Sequence, residues 1–234
     1  PNANILVTPA DHLILQEDAF DEAICRSLDY VKAHPKLVTL GVRPSRPETG
    51  YGYIQFTDIE DEHFVKVKTF TEKPNIEMAK VFYESGEFLW NSGMFAWNVQ
   101  TILDAFHQYL PSLTSILDEV KGAYATDEEQ SRVSQVFSEC PNISIDYAVL
   151  EKADNVMVLP VDFGWADLGT WGSLYELKRE EPRANVALHT KALFYEAEGN
   201  IVSLDGDPEK QLVVVQGIND CIVAQSKGVL LICK

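Results

Sequence analysis

Hydrophobic positions along this chain follow two textures, and the change falls near Arg183. Upstream, short apolar runs alternate with helical periodicity. Residues 4–8 read as a short, fully buried strand. Phe20, Ile24, Leu28 and Val31 then recur on one face of a helix predicted over 17–33, which His34-Pro35 ends. Leu37–Val42 reads as a second buried strand, so strand, helix and strand predict a parallel βαβ unit. The stretch 43–52 has the composition of a loop. Residues 53–56 and 65–68 read as strands, the second with clear alternation. A helix is predicted over 75–85, with Gly86 suited to its C-terminal cap.

Further along, Met94–Trp97 reads as a strand. Helical patterns follow over 99–109, 112–122 and 127–138, broken by Pro111 and by a polar turn. Another helix is expected over 144–152 with Ser144 as its N-cap, then a strand over 155–159. Beyond Arg183, short β-like runs such as Leu212–Val215 and Val229–Ile232 are separated by Gly, Asn and Asp. The pattern predicts an α/β domain over 1–182 and a small β-rich appendage over 183–234. It also opens directly on a strand. If the sheet is doubly wound, its first βαβ lies outside this sequence.

Composition narrows the partners. The 234 residues are 46% hydrophobic and 24% charged, ordinary values for a soluble globular protein. Nineteen Lys and Arg face 36 Asp and Glu, a net charge of −17. Such a surface gains nothing from counterion release, so neither nucleic acid nor an anionic membrane is an expected partner. An anionic substrate would need a few local cations and a metal. Cys25, Cys140, Cys221 and Cys233 form no CxxC pair and are expected as isolated, buried or half-buried thiols in a reducing compartment. No secretory pattern and no bilayer-length apolar run is visible, so a cytoplasmic location is expected.

Six segments carry candidate chemistry. Asp11 follows the first strand, and Asp167 sits between Trp165 and Trp171 in a glycine-bearing loop. Two loop carboxylates far apart in sequence suit Mg²⁺ on a phosphate substrate. A turn or cap role for Asp11, and a backbone cap role for Asp167, remain the competing readings. Gly52 lets backbone approach a ligand closely, or simply turns the chain. In Thr71-Glu72-Lys73-Pro74 the carboxylate can accept from sugar hydroxyls, and the lysine can pair with a phosphate. Asn91 carries a donor and an acceptor for neutral hydroxyls, while Trp90 and Phe95 beside it read as core. Asp146 near a helix start suits the dipole, with a substrate role open. No glycine-rich dinucleotide or P-loop signature occurs, nor a nucleophile elbow or a zinc-protease motif.

In order, the motifs TPADH, RPETGYGYI, FTEKP, WNSGMF, SIDYAVLEK and GWADLGTW occupy residues 8–171. Together they resemble the mannose-1-phosphate guanylyltransferases, within the sugar-phosphate nucleotidylyltransferases. The resemblance implies a Rossmann-like mixed sheet flanked by helices, with a β-rich tail. It implies transfer of a guanylyl group from GTP to mannose 1-phosphate, giving GDP-mannose and pyrophosphate. By the same resemblance Asp11 and Asp167 would hold Mg²⁺, Lys73 would bind the sugar phosphate, and Glu72, Gly52 and Asn91 would contact mannose. The family's glycine-rich phosphate loop with its basic residues has no counterpart here. The chain is therefore expected to be the C-terminal portion of a catalytic domain, with little transferase activity alone. A non-catalytic GDP-mannose-binding relative and a transferase for another sugar phosphate stay open, as does a homo-oligomer.

Overall fold

The computed structural model describes residues 3–59 and 63–234. They divide into two compact units: the segment ending at Ala10 with Ile14–Trp165, and Asp11–Leu13 with Ala166–Lys234. The strands of the first part of the chain are β1 (Asn4–Val7), β2 (Leu13–Ile14), β3 (Leu37–Val42), β4 (Tyr53–Ile59), β5 (Val65–Thr71), β6 (Phe88–Asn98), β7 (Val156–Val161) and β8 (Trp165–Ala166). Six of them form one mixed sheet in the order β1-β6-β3-β7-β5-β4, and β2 pairs with β8.

β6 organises this sheet. The sequence suggests a strand only over 94–97, yet β6 runs 11 residues. Its first half pairs with β3 and β4 (Trp90 opposite Val42 and Tyr53) and its second half with β3 and β1 (Trp97 opposite Leu37 and Ile5). Ladders hold its two halves, and between them left-handed Gly93 (φ +70°) and the register shift opposite Thr39–Gly41 mark a bulge in a segment of low intrinsic strand preference. β1 and β3 are each antiparallel to β6, hence parallel to one another with β6 between them. The expected βαβ unit is therefore split by an inserted strand. β1 is also not fully buried. Its only ladder partner among the described residues is β6, and Ile5 and Val7 are 36% and 43% exposed. An apolar run reads the same at a sheet edge as at its centre.

α1 (Glu17–Ala33) covers one face and buries Ala23, Ile24, Ser27 and Val31. It ends where His34 turns extended ahead of Pro35, as the steric restriction before proline requires. α2 (Ile76–Ser85) is capped by the Asn75 side chain at its start and by left-handed Gly86 at its end. The strands alternate between two cores. Val38, Leu40, Met157 and Leu159 face Ile24, Val31 and Phe82 on one side. Leu37, Val156 and Val158 face Ile102 and Val149 on the other. Complete burial of each such side chain contributes about 1.5–3 kcal/mol. α3 (Val99–Tyr109), α4 (Pro111–Asp118) and α5 (Glu129–Phe137) follow β6, so the helix expected over 112–122 stops early. The expected helix over 144–152 is a single wide turn, Asp146–Leu150, with i→i+5 bonding.

In the second unit α6 (Trp171–Lys178) starts in a capping box. The Thr170 side chain accepts from the Ser173 N–H, and the Ser173 side chain returns the bond. Six strands follow: β9 (Val186–Leu188), β10 (Lys191–Tyr195), β11 (Ile201–Leu204), β12 (Leu212–Gln216), β13 (Ile222–Ser226) and β14 (Val229–Cys233). β9, β11 and β13 stack in parallel, as do β10 and β12, while β14 closes antiparallel on β13. The fully buried Asn200 stitches successive coils. Its amide nitrogen donates to Asn185 Oδ1 at 2.8 Å, and its Oδ1 accepts from the Cys221 N–H at 3.0 Å. The boundary expected at 182/183 and this packing division differ in where they place α6. All four cysteines are free, and Cys25 is exposed on α1 rather than buried or half-buried. Among the described residues no helix is long and apolar enough to cross a membrane.

Candidate functional site

Five of the singled-out residues converge in the first unit. Gly52, just ahead of β4, accepts the Asn91 N–H at 2.8 Å through its carbonyl oxygen. A Cβ at Gly52 would lie 2.5 Å from Glu72 Oε2 and 3.4 Å from Asn91 Cβ. A larger residue here would displace the Glu72 carboxylate from its present place, so glycine permits this close approach. Its carbonyl serves the strand ladder, and the feature it contributes is a missing side chain.

Glu72 and Lys73 leave β5 in the turn that Pro74 stiffens, and their side chains form an ion pair. Lys73 has φ of +43°, a left-handed conformation that is disfavoured for lysine and more so before proline. Its charge is secure: hydrogen bonding to Glu72 raises its pKa above 10.5, with further help from the nearby Asp146.

Asn91 is oriented by three neighbours. Its Oδ1 accepts from the Gly93 N–H at 3.2 Å and lies 3.5 Å from the Thr39 hydroxyl. Its Nδ2 donates to Asp146 Oδ1 at 2.8 Å. Asp146 opens the wide turn, where Ala148, Val149 and Leu150 are all buried in succession. The Ser144 hydroxyl accepts from the Tyr147 N–H at 3.4 Å, so Ser144 does support the start of this turn. Single wide turns of this kind recur at functional sites.

Burial raises the Asp146 pKa above 3.8. The bond from Asn91 opposes that shift, and the Glu72 charge reinforces it. A carboxyl that binds its proton more tightly when folded contributes stability fully below its unfolded pKa. That contribution is lost as pH rises through the folded value. At neutral pH the charged Asp146 therefore costs stability. Asp146→Asn keeps an acceptor for Asn91 and removes the charge. It is expected to raise the thermal midpoint at pH 7 by about 1–3 °C, with the gain vanishing as pH falls towards 3.8. Calorimetry across that range checks it; a lower midpoint at pH 7 contradicts it.

Asp11 and Asp167 both belong to the second unit. The β2–β8 pairing sets the chain that follows Asp11 beside the chain that precedes Asp167. Asp11 is exposed and Asp167 half-buried. Asp167 Oδ1 accepts from the Gly169 N–H at 3.2 Å, while Thr170 caps α6, so the Asp167 carboxylate turns its own loop rather than starting the helix. Leu168 between them is left-handed, with φ of +54°. Two carboxylates are a hard-oxygen donor set that fits Mg²⁺, which completes its shell with water and phosphate. No group of three or more His, Cys, Asp or Glu capable of holding a metal occurs among the described residues.

Three neighbours of the cluster have no role assigned from the sequence, although Arg46 and Tyr51 lie within the RPETGYGYI motif. Thr39 is fully buried in β3, its polarity the one break in an apolar run. Arg46 lies over the Trp90 ring, and Tyr51 packs edge-on against Trp90 at 5.1 Å. Trp90 and Phe95 are core residues, 4% and 6% exposed.

The chain is similar to several known proteins. A family profile described as "Nucleotidyl transferase" matches residues 1–183. The mannose-1-phosphate guanylyltransferase of Escherichia coli K12 is 37% identical over 233 residues, covering 97% of this chain and 48% of that protein. ManC of Salmonella typhimurium LT2, with the same description, is 36% identical over 97% of this chain and 47% of its own length. The chain thus spans about half the length of the curated relatives it matches. A solved structure from Thermus thermophilus, titled a mannose-1-phosphate geranyltransferase, superposes with a TM-score of 0.83 at 31% identity, covering 98% of this chain and 65% of that one. With the profile spanning well over half of its residues, and the mixed sheet matching that of a solved relative, the chain belongs to the nucleotidyl transferase family.

Proposed function

We propose that this chain carries the sugar-phosphate half of a mannose-1-phosphate guanylyltransferase. The carrying observation is the cluster of Gly52, Glu72, Lys73, Asn91 and Asp146. It sets hydroxyl-recognising groups beside one cation. Glu72 and Asp146 accept from sugar hydroxyls. Asn91, its amide held by Gly93 and Asp146, donates to one. Gly52, with no Cβ, leaves room for the Glu72 carboxylate that meets the ring. Lys73 pairs with the phosphate and leaves it aligned. The phosphate oxygen of mannose 1-phosphate then attacks the α-phosphorus of GTP in line, and pyrophosphate leaves with GDP-mannose formed. Such a transfer depends mainly on alignment and charge neutralisation, so no residue need become covalently modified. Asp11 and Asp167 would hold Mg²⁺, which supplies charge neutralisation on the phosphates.

The relatives' names support the choice of base and sugar. The test is pyrophosphate release by the full-length gene product across GTP, UTP and dTTP, each with mannose 1-phosphate or glucose 1-phosphate, with and without Mg²⁺. Release confined to GTP, mannose 1-phosphate and Mg²⁺ is expected. Tight GDP-mannose binding without turnover in any combination would instead assign a binding protein, and release with a different pair would assign a different transferase.

A further inference from the structure

The loop that delivers Gly52 is held by a clasp centred on Arg46. The half-buried guanidinium bonds Glu48 Oε2 through Nη2 at 2.8 Å and Nε at 3.2 Å. The other oxygen of that carboxylate accepts from the Gly50 N–H at 2.9 Å. The fully buried Tyr53 hydroxyl completes the loop: it accepts from the Glu48 N–H and donates to the Glu48 carbonyl, both at 2.9 Å. The guanidinium carbon also lies 5.2 Å from the Trp90 ring centroid and 6.0 Å from that of Tyr51. A planar, delocalised cation is suited to bond a carboxylate with its edge while its face lies on an aromatic ring.

Trp90 needs such a restraint. Its indole N–H is buried and has no hydrogen-bond partner among the described residues. The nitrogen therefore does not orient the ring, and contacts on its face and edge must. Asn91 is the next residue along β6, and its N–H bonds Gly52 directly. From these contacts we infer that Arg46 is a positioning residue. It fastens loop 46–52 onto β6 and so sets the approach of Gly52 to Glu72 and Asn91, on which recognition of the sugar ring depends. The ligand part of this inference rests on the sugar-phosphate reading above; the clasp does not.

Arg46→Lys tests it, because lysine keeps the charge and most of the stem but lacks the plane and the paired donors. Amide exchange is read first, with no ligand present. The expected result is exchange at Gly50 and Asn91 at least about tenfold faster, with Val38–Leu40 and Val156–Leu159 still protected. Titration of mannose 1-phosphate should then show Kd raised about tenfold in Arg46→Lys at an unchanged far-ultraviolet circular dichroism spectrum. Arg46→Met, which keeps the stem and loses the charge, should match or exceed that loss. Unchanged exchange at Gly50 and Asn91 overturns the clasp outright. Faster exchange with an unaltered Kd overturns its role in recognition. A wild-type protein that ignores mannose 1-phosphate while the exchange result holds overturns the functional reading and the recognition role, and leaves the clasp standing.

Discussion

Asp167→Asn is expected to lower pyrophosphate release from GTP and mannose 1-phosphate by about a thousandfold in the full-length gene product. The substitution preserves shape and leaves an Oδ1 to accept from the Gly169 N–H, so the loop keeps its turn. What it removes is one of two anionic oxygens proposed to hold Mg²⁺. A metal that neutralises transferring phosphates contributes several kcal/mol in the transition state, and ~4 kcal/mol corresponds to three orders of magnitude. Binding of mannose 1-phosphate itself should change by less than about threefold, because the substitution leaves Gly52, Glu72, Lys73, Asn91 and Asp146, the groups proposed to hold it, unchanged. Stopped assays on both quantities decide the matter. A variant that turns over at the wild-type rate removes Asp167 from the reaction. A variant that loses sugar-phosphate binding as well shows that the loop does more than carry a charge.

Lys73→Gly should separate stability from binding. The lysine is held at φ of +43° ahead of a proline, and glycine accepts that geometry without a Cβ clash. Strain at a functional turn persists because the surrounding structure imposes it. The lost ion pair with Glu72 counts for little, since the Lys73 side chain is 62% exposed. Glycine adds chain entropy to the unfolded state, which offsets part of the relief. The thermal midpoint is therefore expected to stay level or rise. Affinity for mannose 1-phosphate should fall roughly 10- to 150-fold, the range for losing a hydrogen bond to a charged group. Equal affinity in the glycine variant would show that Lys73 does not meet the phosphate. A midpoint several degrees lower would show that the turn depends on its side chain.

Recognition of the family rests on six short motifs, and their value lay in order rather than in any one of them. Each is a loop or strand end whose residues are weakly informative alone. FTEKP reads as a surface turn until β5 and Pro74 bring Glu72, with Lys73 paired to it, beside Gly52. Thr39 lies outside every motif, and Arg46 opens RPETGYGYI without a role of its own, for opposite reasons. One is a small polar residue inside an apolar strand, and the other a charged residue in a polar loop. Only the contacts Thr39–Asn91 and Arg46–Trp90 distinguish them from many such positions.

The sequence by itself determined those elements whose signals are local. α1, β3 and α3 begin and end where periodicity, His34-Pro35 and Pro111 say they should, because prolines and helical spacing act within a few residues. It also determined the family, since motif order survives without coordinates. Tertiary structure alone decided what depends on distant partners. β6 reaches back through Asn91 because β3 and β4 supply its ladder, and β1 does not pair with β3 because β6 stands between them. The wide turn at Asp146 forms where three consecutive residues must be buried at once. The parallel stacking of β9, β11 and β13 is set by buried Asn200 and its neighbours on adjacent coils. The raised pKa of Asp146 and its bond to Asn91, 55 residues away along the chain, exist only after burial brings them together. Periodicity is a property of a short segment, whereas pairing, burial and desolvation are properties of the neighbours that folding assembles.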